Sequence, residues 1–179
     1  MTQHNESGFS LIETLIAMGI LATGLLGLAG VFTVGMTHMA TSSANLIARE
    51  KAREAVESVH TARDTRTITW AQIRNVTDGG VFLNGEQQIK NPGLDGLVNT
   101  ADDTGIEELR TPGPDGILGN ADDVRIQLTN YTRNVVISNV LDANNNINPS
   151  LRQITVTIKY NVGPVKRTYT LTTYISSIS

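Results

Sequence analysis

The sequence of 179 residues contains no cysteine. This absence excludes disulfide bonds, thiolate ligands for a metal and cysteine nucleophiles at once. It leaves the cellular compartment open, because exported proteins can fold without disulfides.

A recognisable set of catalytic residues is also missing. The three histidines are scattered along the chain, and no glycine-rich phosphate loop is present. The net charge of -3 shows none of the basic excess that accompanies nucleic-acid binding. We therefore expect a protein that is not an enzyme and that does not bind nucleic acid.

Charge is missing from a long stretch near the N-terminus. Residues 14–48 contain no Asp, Glu, Lys or Arg, and the first basic residue of the chain is Arg49. Within this stretch, Leu15–Met36 is long enough to cross a bilayer at about 1.5 Å per residue. Glu13 directly precedes the uncharged stretch 14–48. Placing a carboxylate in hydrocarbon costs free energy unless a positively charged partner lies nearby. No residue nearby in the sequence supplies that positive charge.

Three ordinary explanations compete for this segment. A secretory signal peptide would have a basic start and a shorter apolar core. A plain membrane anchor would give Glu13 no role. A buried core helix would be enclosed on every side, which a domain of this size rarely achieves. A fourth explanation is cleavage after Gly8, because the new amino group on Phe9 would lie one helical turn from Glu13 or meet the Glu13 of a neighbouring copy.

The residues around that cut resemble a known signal. The run Gly8-Phe9-Ser10-Leu11-Ile12-Glu13 resembles the class III signal of type IV pilins and type II secretion pseudopilins. The resemblance implies that prepilin peptidase cuts after Gly8 and methylates the amine of Phe9. Glu13 occupies the place of the family's glutamate, five residues into the mature chain. The run Ala22–Gly30 is similar to the corresponding segment of PilV-type minor pilins.

The resemblance also implies partners, a location and a fold. The partners would be other pilin subunits in a helical filament, prepilin peptidase and the inner-membrane assembly platform. The precursor would reside in the inner membrane of a bacterium, and the mature chain in a periplasm-spanning or extracellular filament. The implied fold is an α+β ladle in which a long N-terminal helix packs on an antiparallel β-sheet. The leader departs from the family pattern, since it has no basic residue.

The chain divides into three parts. The resemblance implies a leader at residues 1–8, followed by a hydrophobic transmembrane or filament-core helix over 9–40 and a globular head over 41–179. The helix continues over 45–63 with an apolar face that packs on a sheet, while the charged residues form a solvated face. The apolar face consists of Ala48, Ala52, Ala55, Val56, Val59 and Ala62.

The remainder of the head predicts β-structure. Apolar and polar residues alternate over 151–176 on both sides of Gly163-Pro164, which predicts a C-terminal β-hairpin. Residues 125–138 predict at least one further strand, and 64–90 are interpreted as a connector. The head therefore belongs to the α+β class, with antiparallel strands against one helix.

Two stretches repeat at a spacing of 20 residues within the acidic region 91–123. They share the pattern P-G-x-D-G-[LI]-x-x-x-A-D-D, with seven identical positions. Hard cations take carboxylate and carbonyl oxygens, so the repeats are candidate calcium sites. The alternative is a pair of surface turns, for which Asp and Gly are favoured by their backbone preferences. The candidate ligands are Asp95, Asp102 and Asp103 in the first repeat and Asp115, Asp122 and Asp123 in the second.

These observations favour a structural subunit of a type IV pilus-like filament. Within that class we expect a minor pilin that primes or modulates assembly. The alternatives are the major pilin of a calcium-stabilised filament and a type II secretion pseudopilin.

Overall fold

The computed structural model describes residues 10–178. The chain forms two compact units, Met1–Ser42 and Ser43–Ser179. The predicted leader boundary between residues 8 and 9 lies outside the described residues.

A single helix, α1, runs over Leu11–Asp64. In the first unit its side chains are exposed on all sides, and most of them are apolar. This part of α1 is long and apolar enough to cross a membrane. No proline occurs before residue 92, so nothing in the sequence interrupts the backbone hydrogen bonds of the helix.

The second unit contains a four-stranded antiparallel sheet in the order β1-β6-β7-β8. Its strands are β1 (Gln87–Gln88), β6 (Tyr131–Leu141), β7 (Ile147–Val162) and β8 (Val165–Ser176). Strands β7 and β8 form the predicted C-terminal hairpin, with Val162 opposite Val165 across the two-residue turn. Gly163 occupies a positive φ of 56° in that turn, a conformation that glycine adopts without strain.

Two small hairpins precede the last three strands of the sheet. The first pairs β2 (Lys90–Asn91) with β3 (Thr104–Ile106), and the second pairs β4 (Glu108–Thr111) with β5 (Val124–Gln127). Each hairpin closes one of the acidic repeats. Between α1 and β1 the chain forms two short 3-10 helices, Trp70–Gln72 and Val76–Asp78.

The core lies between the second half of α1 and one face of the sheet. Five of the six residues predicted for the apolar helix face are buried, and Val56 is partly buried against them. Four of these five are alanines, whose small side chains allow the helix backbone to approach the sheet closely. The strands contribute alternating residues, including Ile154, Val156 and Ile158, all with no exposed surface. The predicted α+β class, a long helix packed on an antiparallel sheet, is confirmed.

One prediction for this helix is wrong, because Lys51 does not lie on a solvated face. Its side chain is buried and its Nζ forms ion pairs with Glu54, one turn along the helix, and with Glu107, between the two small hairpins. The fully buried Arg133 of β6 approaches Glu54 at 3.7 Å. Burial alone would lower the pKa of Lys51, but its hydrogen bonds to Glu107 and Glu54 outweigh that effect and raise the pKa.

Candidate functional site: the N-terminal signal and the acidic loops

Glu13 lies in the first turn of α1 and is exposed. Its backbone N–H donates to the carbonyl of Ser10 at 3.0 Å, the residue that directly precedes the helix. A carboxylate in the first turn complements the positive end of the helix dipole. No ion pair to Glu13 forms within residues 10–178. Gly8 and Phe9, the predicted sites of cleavage and methylation, lie outside the described residues.

The threonine hydroxyls of the apolar stretch have hydrogen-bond partners within α1. Each of their hydroxyls donates to a backbone carbonyl three or four residues earlier, as Thr33 does to Ala29 at 2.9 Å. The same bond forms at Thr14, Thr23, Thr37 and Thr41. These hydroxyls therefore need no partner from outside the helix. From Ser10 to Ala48, Glu13 is the one residue that carries a formal charge.

The exposed apolar surface of the first unit is extensive. Leu11, Met18, Leu26 and Met39 each expose more than 70% of their surface. Soluble monomers rarely expose a continuous apolar surface of this kind to water. Such a surface marks a region that lipid or another protein covers. The helix thus combines an apolar exterior with a single carboxylate near its start.

The two acidic repeats fold into matching loops. We call 92–103 the first acidic loop and 112–123 the second. In each, the aspartate of the Asp-Gly pair accepts a bond at 2.8 Å from the N–H two residues later: Leu97 to Asp95, and Ile117 to Asp115. This is the Asx-turn that the alternative interpretation of the repeats predicted.

The last aspartate of each loop closes it in the same way. Asp103 accepts from the N–H of Asn99 at 2.7 Å, and Asp123 accepts from the N–H of Gly119 at 2.8 Å. The donors Asn99 and Gly119 both have positive φ, at 66° and 106°. The sequence repeat is therefore also a structural repeat, in which these two carboxylate-to-backbone bonds recur at the same positions.

The middle aspartate of each loop packs over the glycine of the Pro-Gly pair. A Cβ on Gly93 would lie 2.0 Å from the carboxylate of Asp102, and a Cβ on Gly113 would lie 2.4 Å from the backbone oxygen of Asp122. No side chain larger than hydrogen fits there unless the neighbour shifts. The glycine of each Pro-Gly pair is thus required by close packing.

The two loops differ in which of their side-chain oxygens accept hydrogen bonds. In the first loop the hydroxyl of Thr100 donates to both Asp102 and Asp103. This bond lowers the pKa of Asp102, whereas burial raises the pKa of Asp103. In the second loop Asn120 replaces Thr100 and donates to Asp115. Buried oxygens of Asn120 and Asp123, both Oδ1, accept no hydrogen bond from residues 10–178.

Sequence reasoning named the aspartates but missed Thr100 and Asn120, which link them. The only available signal was that the ninth position of both repeats is polar. Within residues 10–178, no three His, Cys, Asp or Glu side chains are grouped closely enough to hold a metal by themselves. Any cation bound here would need backbone or amide oxygens in addition.

Comparison with known proteins identifies the N-terminal segment. Residues 3–29 match the family described as the prokaryotic N-terminal methylation motif. No curated protein and no solved structure matches the chain. The match supports a pilin-like structural protein that carries a prepilin-type signal and is processed at its N-terminus. The motif and the apolar helix together fit a membrane-anchored precursor in bacteria.

Proposed function

We propose that the protein is a structural subunit of a type IV pilus-like filament, cut by prepilin peptidase after Gly8. One observation carries this proposal: the methylation motif over residues 3–29 continues into α1, whose residues 11–42 have an apolar exterior and a single carboxylate, Glu13. In a bilayer that exterior faces lipid, and in a filament it faces the helices of other subunits. The new amino group on Phe9 would supply the positive charge that Glu13 needs in either medium.

Within this class we propose a minor pilin of PilV type that primes or modulates assembly. The run Ala22–Gly30 and the C-terminal hairpin ending in Thr172-Thr173-Tyr174-Ile175 support this assignment. The major subunit of a filament is the first rival, and a type II secretion pseudopilin is the second. All three share the processed N-terminus, so abundance in the filament distinguishes the first two.

Mass spectrometry of filaments sheared from the native cell tests both levels of this proposal. We expect a mature chain that begins at methylated Phe9, present in trace amounts beside a dominant subunit. The same mature chain as the dominant component would make it the major pilin. A chain that keeps residues 1–8 and occurs only in membranes would overturn the filament assignment altogether.

We also propose that the second acidic loop binds calcium. Calcium takes six to eight oxygen ligands, including carboxylates and amide carbonyls. Asp115, Asp122 and Asp123 would supply carboxylates. The side-chain oxygen of Asn120, which accepts no hydrogen bond from residues 10–178, would add an amide ligand. In the first loop Thr100 donates to Asp102 and Asp103 and has no amide oxygen of its own to offer, so Asp95, Asp102 and Asp103 are the weaker candidates.

Thermal unfolding of the full chain in detergent, with calcium and with a chelator, tests the metal proposal. A ligand at about 100 times its Kd adds about 2.7 kcal/mol of stability. We expect the chelator to lower the Tm by roughly 5–10 °C for a chain of this size. The double variant Asp122→Asn, Asp123→Asn should lose this response, and Asp102→Asn should keep it. Identical melting curves with and without chelator would contradict the proposal.

A further inference from the structure

We propose that a cavity beside strand β6 binds an extended peptide segment and pairs with its carboxylate. The cavity has a volume of about 460 Å³ and lies wholly within the second unit. Its lining includes Arg74, Asn75, Asp78, residues 134–139 and Arg152. This volume falls in the range of cavities that hold small ligands or a few peptide residues.

The first argument concerns the open edge of β6. Strand β1 pairs only with Thr132 and Arg133, so the rest of this edge has no neighbouring strand in the described sheet. The side chain of Asn75 substitutes for one: its Nδ2 donates to the carbonyl of Val135 and its Oδ1 accepts from the N–H of Ile137, both at 2.8 Å. The backbone groups at this point of the edge are therefore already hydrogen-bonded, because the side-chain amide of Asn75 takes the place of a peptide group on a neighbouring strand.

The strand continues past Asn75 without a partner. Groups that face one edge of an antiparallel strand recur at every second residue, so the carbonyl of Ile137 and the N–H of Asn139 face the same edge as the bonds to Asn75. Both residues line the cavity. A peptide in extended conformation can pair with such groups, as in recognition by strand addition.

The second argument concerns charge. Arg152 is 3% exposed, and no ion pair joins it to a carboxylate within residues 10–178. Its Nη1 donates to the carbonyls of Trp70 and Ile73, and its guanidinium lies 4.2 Å from the centre of the Trp70 ring. Asp78 lines the same cavity but forms no ion pair with either arginine.

Arg74 adds a second positive charge to this cavity. Burial, together with repulsion from Arg74, lowers the pKa of Arg152 to about 10. Two neighbouring positive charges stabilise an anion placed near both of them. A carboxylate suits this position, since guanidinium groups bind carboxylates in a planar, two-bond geometry. The open edge supplies the backbone contacts that a free anion would not use.

Trp70 is the single tryptophan of the chain, and its contact with Arg152 makes its fluorescence a direct readout. The full chain in detergent would be titrated with acetyl-Thr-Val-Asp-Val-Thr-amide, with the same peptide carrying Asn in place of Asp, and with acetate. We expect a saturable change with the Asp peptide, at a half-saturation concentration about tenfold below that of the Asn peptide. Acetate should be weaker still.

The variant Arg74→Gln should weaken binding of the Asp peptide about tenfold while leaving the Asn peptide unchanged. Arg74 is exposed, so this change should not impair folding, and Arg53→Gln, on the exposed side of α1, is the matched control. Equal binding of the two peptides, acetate binding as tight as the Asp peptide, or no saturable change would each overturn the inference. The titration needs no filament, so its failure would leave the proposed function standing.

Discussion

At the scale of single residues, the most consequential side chains are polar groups inside the second unit. Lys51 joins α1 to the connection between the small hairpins through Glu107, and Asn75 closes the edge of β6. Neither role follows from local sequence pattern. Lys51 lies next to Ala52 on the helix and resembles any charged residue of a solvated face. Its burial depends on Glu107, which is 56 residues away in the chain.

Replacing Lys51 should destabilise the second unit strongly. Lys51→Gln leaves Glu107 without its ion-pair partner and leaves Glu54 with Arg133 alone, at 3.7 Å. Breaking a buried pair in this way costs about 3–5 kcal/mol. Because the pKa of Lys51 is raised in the folded state, its stabilisation is complete below the ordinary value of 10.5 and is lost as the pH rises through the folded value.

Thermal unfolding of the full chain as a function of pH measures this effect. The difference between wild type and Lys51→Gln should be constant from pH 7 to 9 and should shrink above about pH 10.5. The exposed Lys90 provides the control, since Lys90→Gln should change stability by less than about 0.5 kcal/mol. A deficit that stays the same up to pH 12 would contradict an ionic role for Lys51.

Replacing Asn75 tests its role as a substitute strand. Asn75→Ala leaves the carbonyl of Val135 and the N–H of Ile137 buried without partners, which should cost about 2–4 kcal/mol. The change is measured by thermal unfolding against Asn144→Ala, a substitution in an exposed turn. A loss no larger than that of the control would show that water satisfies the edge equally well.

At the scale of elements, the long and regular ones could be predicted and the short ones could not. The uncharged run and its amphipathic continuation predict α1, and strict alternation predicts β7 and β8, because in both cases the pattern extends over more than ten residues. Strands β1 to β5 have two to four residues each and no clear alternation. Their positions are determined by pairing with distant partners rather than by their own residues.

The candidate sites likewise include features that could be predicted from the sequence and features that could not. The cleavage signal is a contiguous run, so it could be identified without the fold. The acidic repeats could be recognised by their spacing, but the hydrogen bonds from Thr100 and Asn120 that distinguish the two loops could not. The cavity beside β6 escaped sequence reasoning entirely, since Arg74 and Asn75 lie in the segment interpreted as a connector and Arg152 lies in a strand.

The packing of the acidic loops predicts an intolerance to small side chains at one position. Gly113→Ala places a methyl group 2.4 Å from the backbone oxygen of Asp122, so the loop must shift at a cost of about 1–3 kcal/mol. Gly24→Ala is the control, because a Cβ at Gly24 meets nothing within 4 Å and alanine favours the helix. Unfolding curves in which both variants match wild type would contradict the close packing described for the loop.

At the scale of the whole molecule, the two units have different requirements. The second unit contains a buried hydrophobic core and the ion pairs of Lys51 with Glu54 and Glu107. Residues 11–42 bury no apolar side chain, and their exposed apolar surface needs a covering of lipid or of another protein. A filament subunit meets this requirement twice, first with lipid and then with the helices of its neighbours. In the proposed function, cleavage is the step at which Glu13 gains an intramolecular or intermolecular cation.

Blocking that step should arrest the protein before assembly. Gly8→Ala should leave an uncut chain of full mass in the membrane fraction, with none in sheared filaments, as intact-mass spectrometry would show. Gly24→Ala should be cut normally, because it lies far from the cleavage position. A Gly8→Ala chain that still begins at Phe9 would contradict the prepilin assignment.

The matching geometry of the acidic loops bears on how this chain can change in evolution. Each loop is closed by its own pair of strands, and the two hairpins follow one another at a constant period of 20 residues. A duplication or loss of the second period therefore adds or removes an exposed hairpin without altering the register of the four-stranded sheet, whereas the first loop buries Leu97 and Val98 in the core. Related chains should accordingly differ in length by multiples of this unit, which could diversify the head's exterior while its interior stays the same.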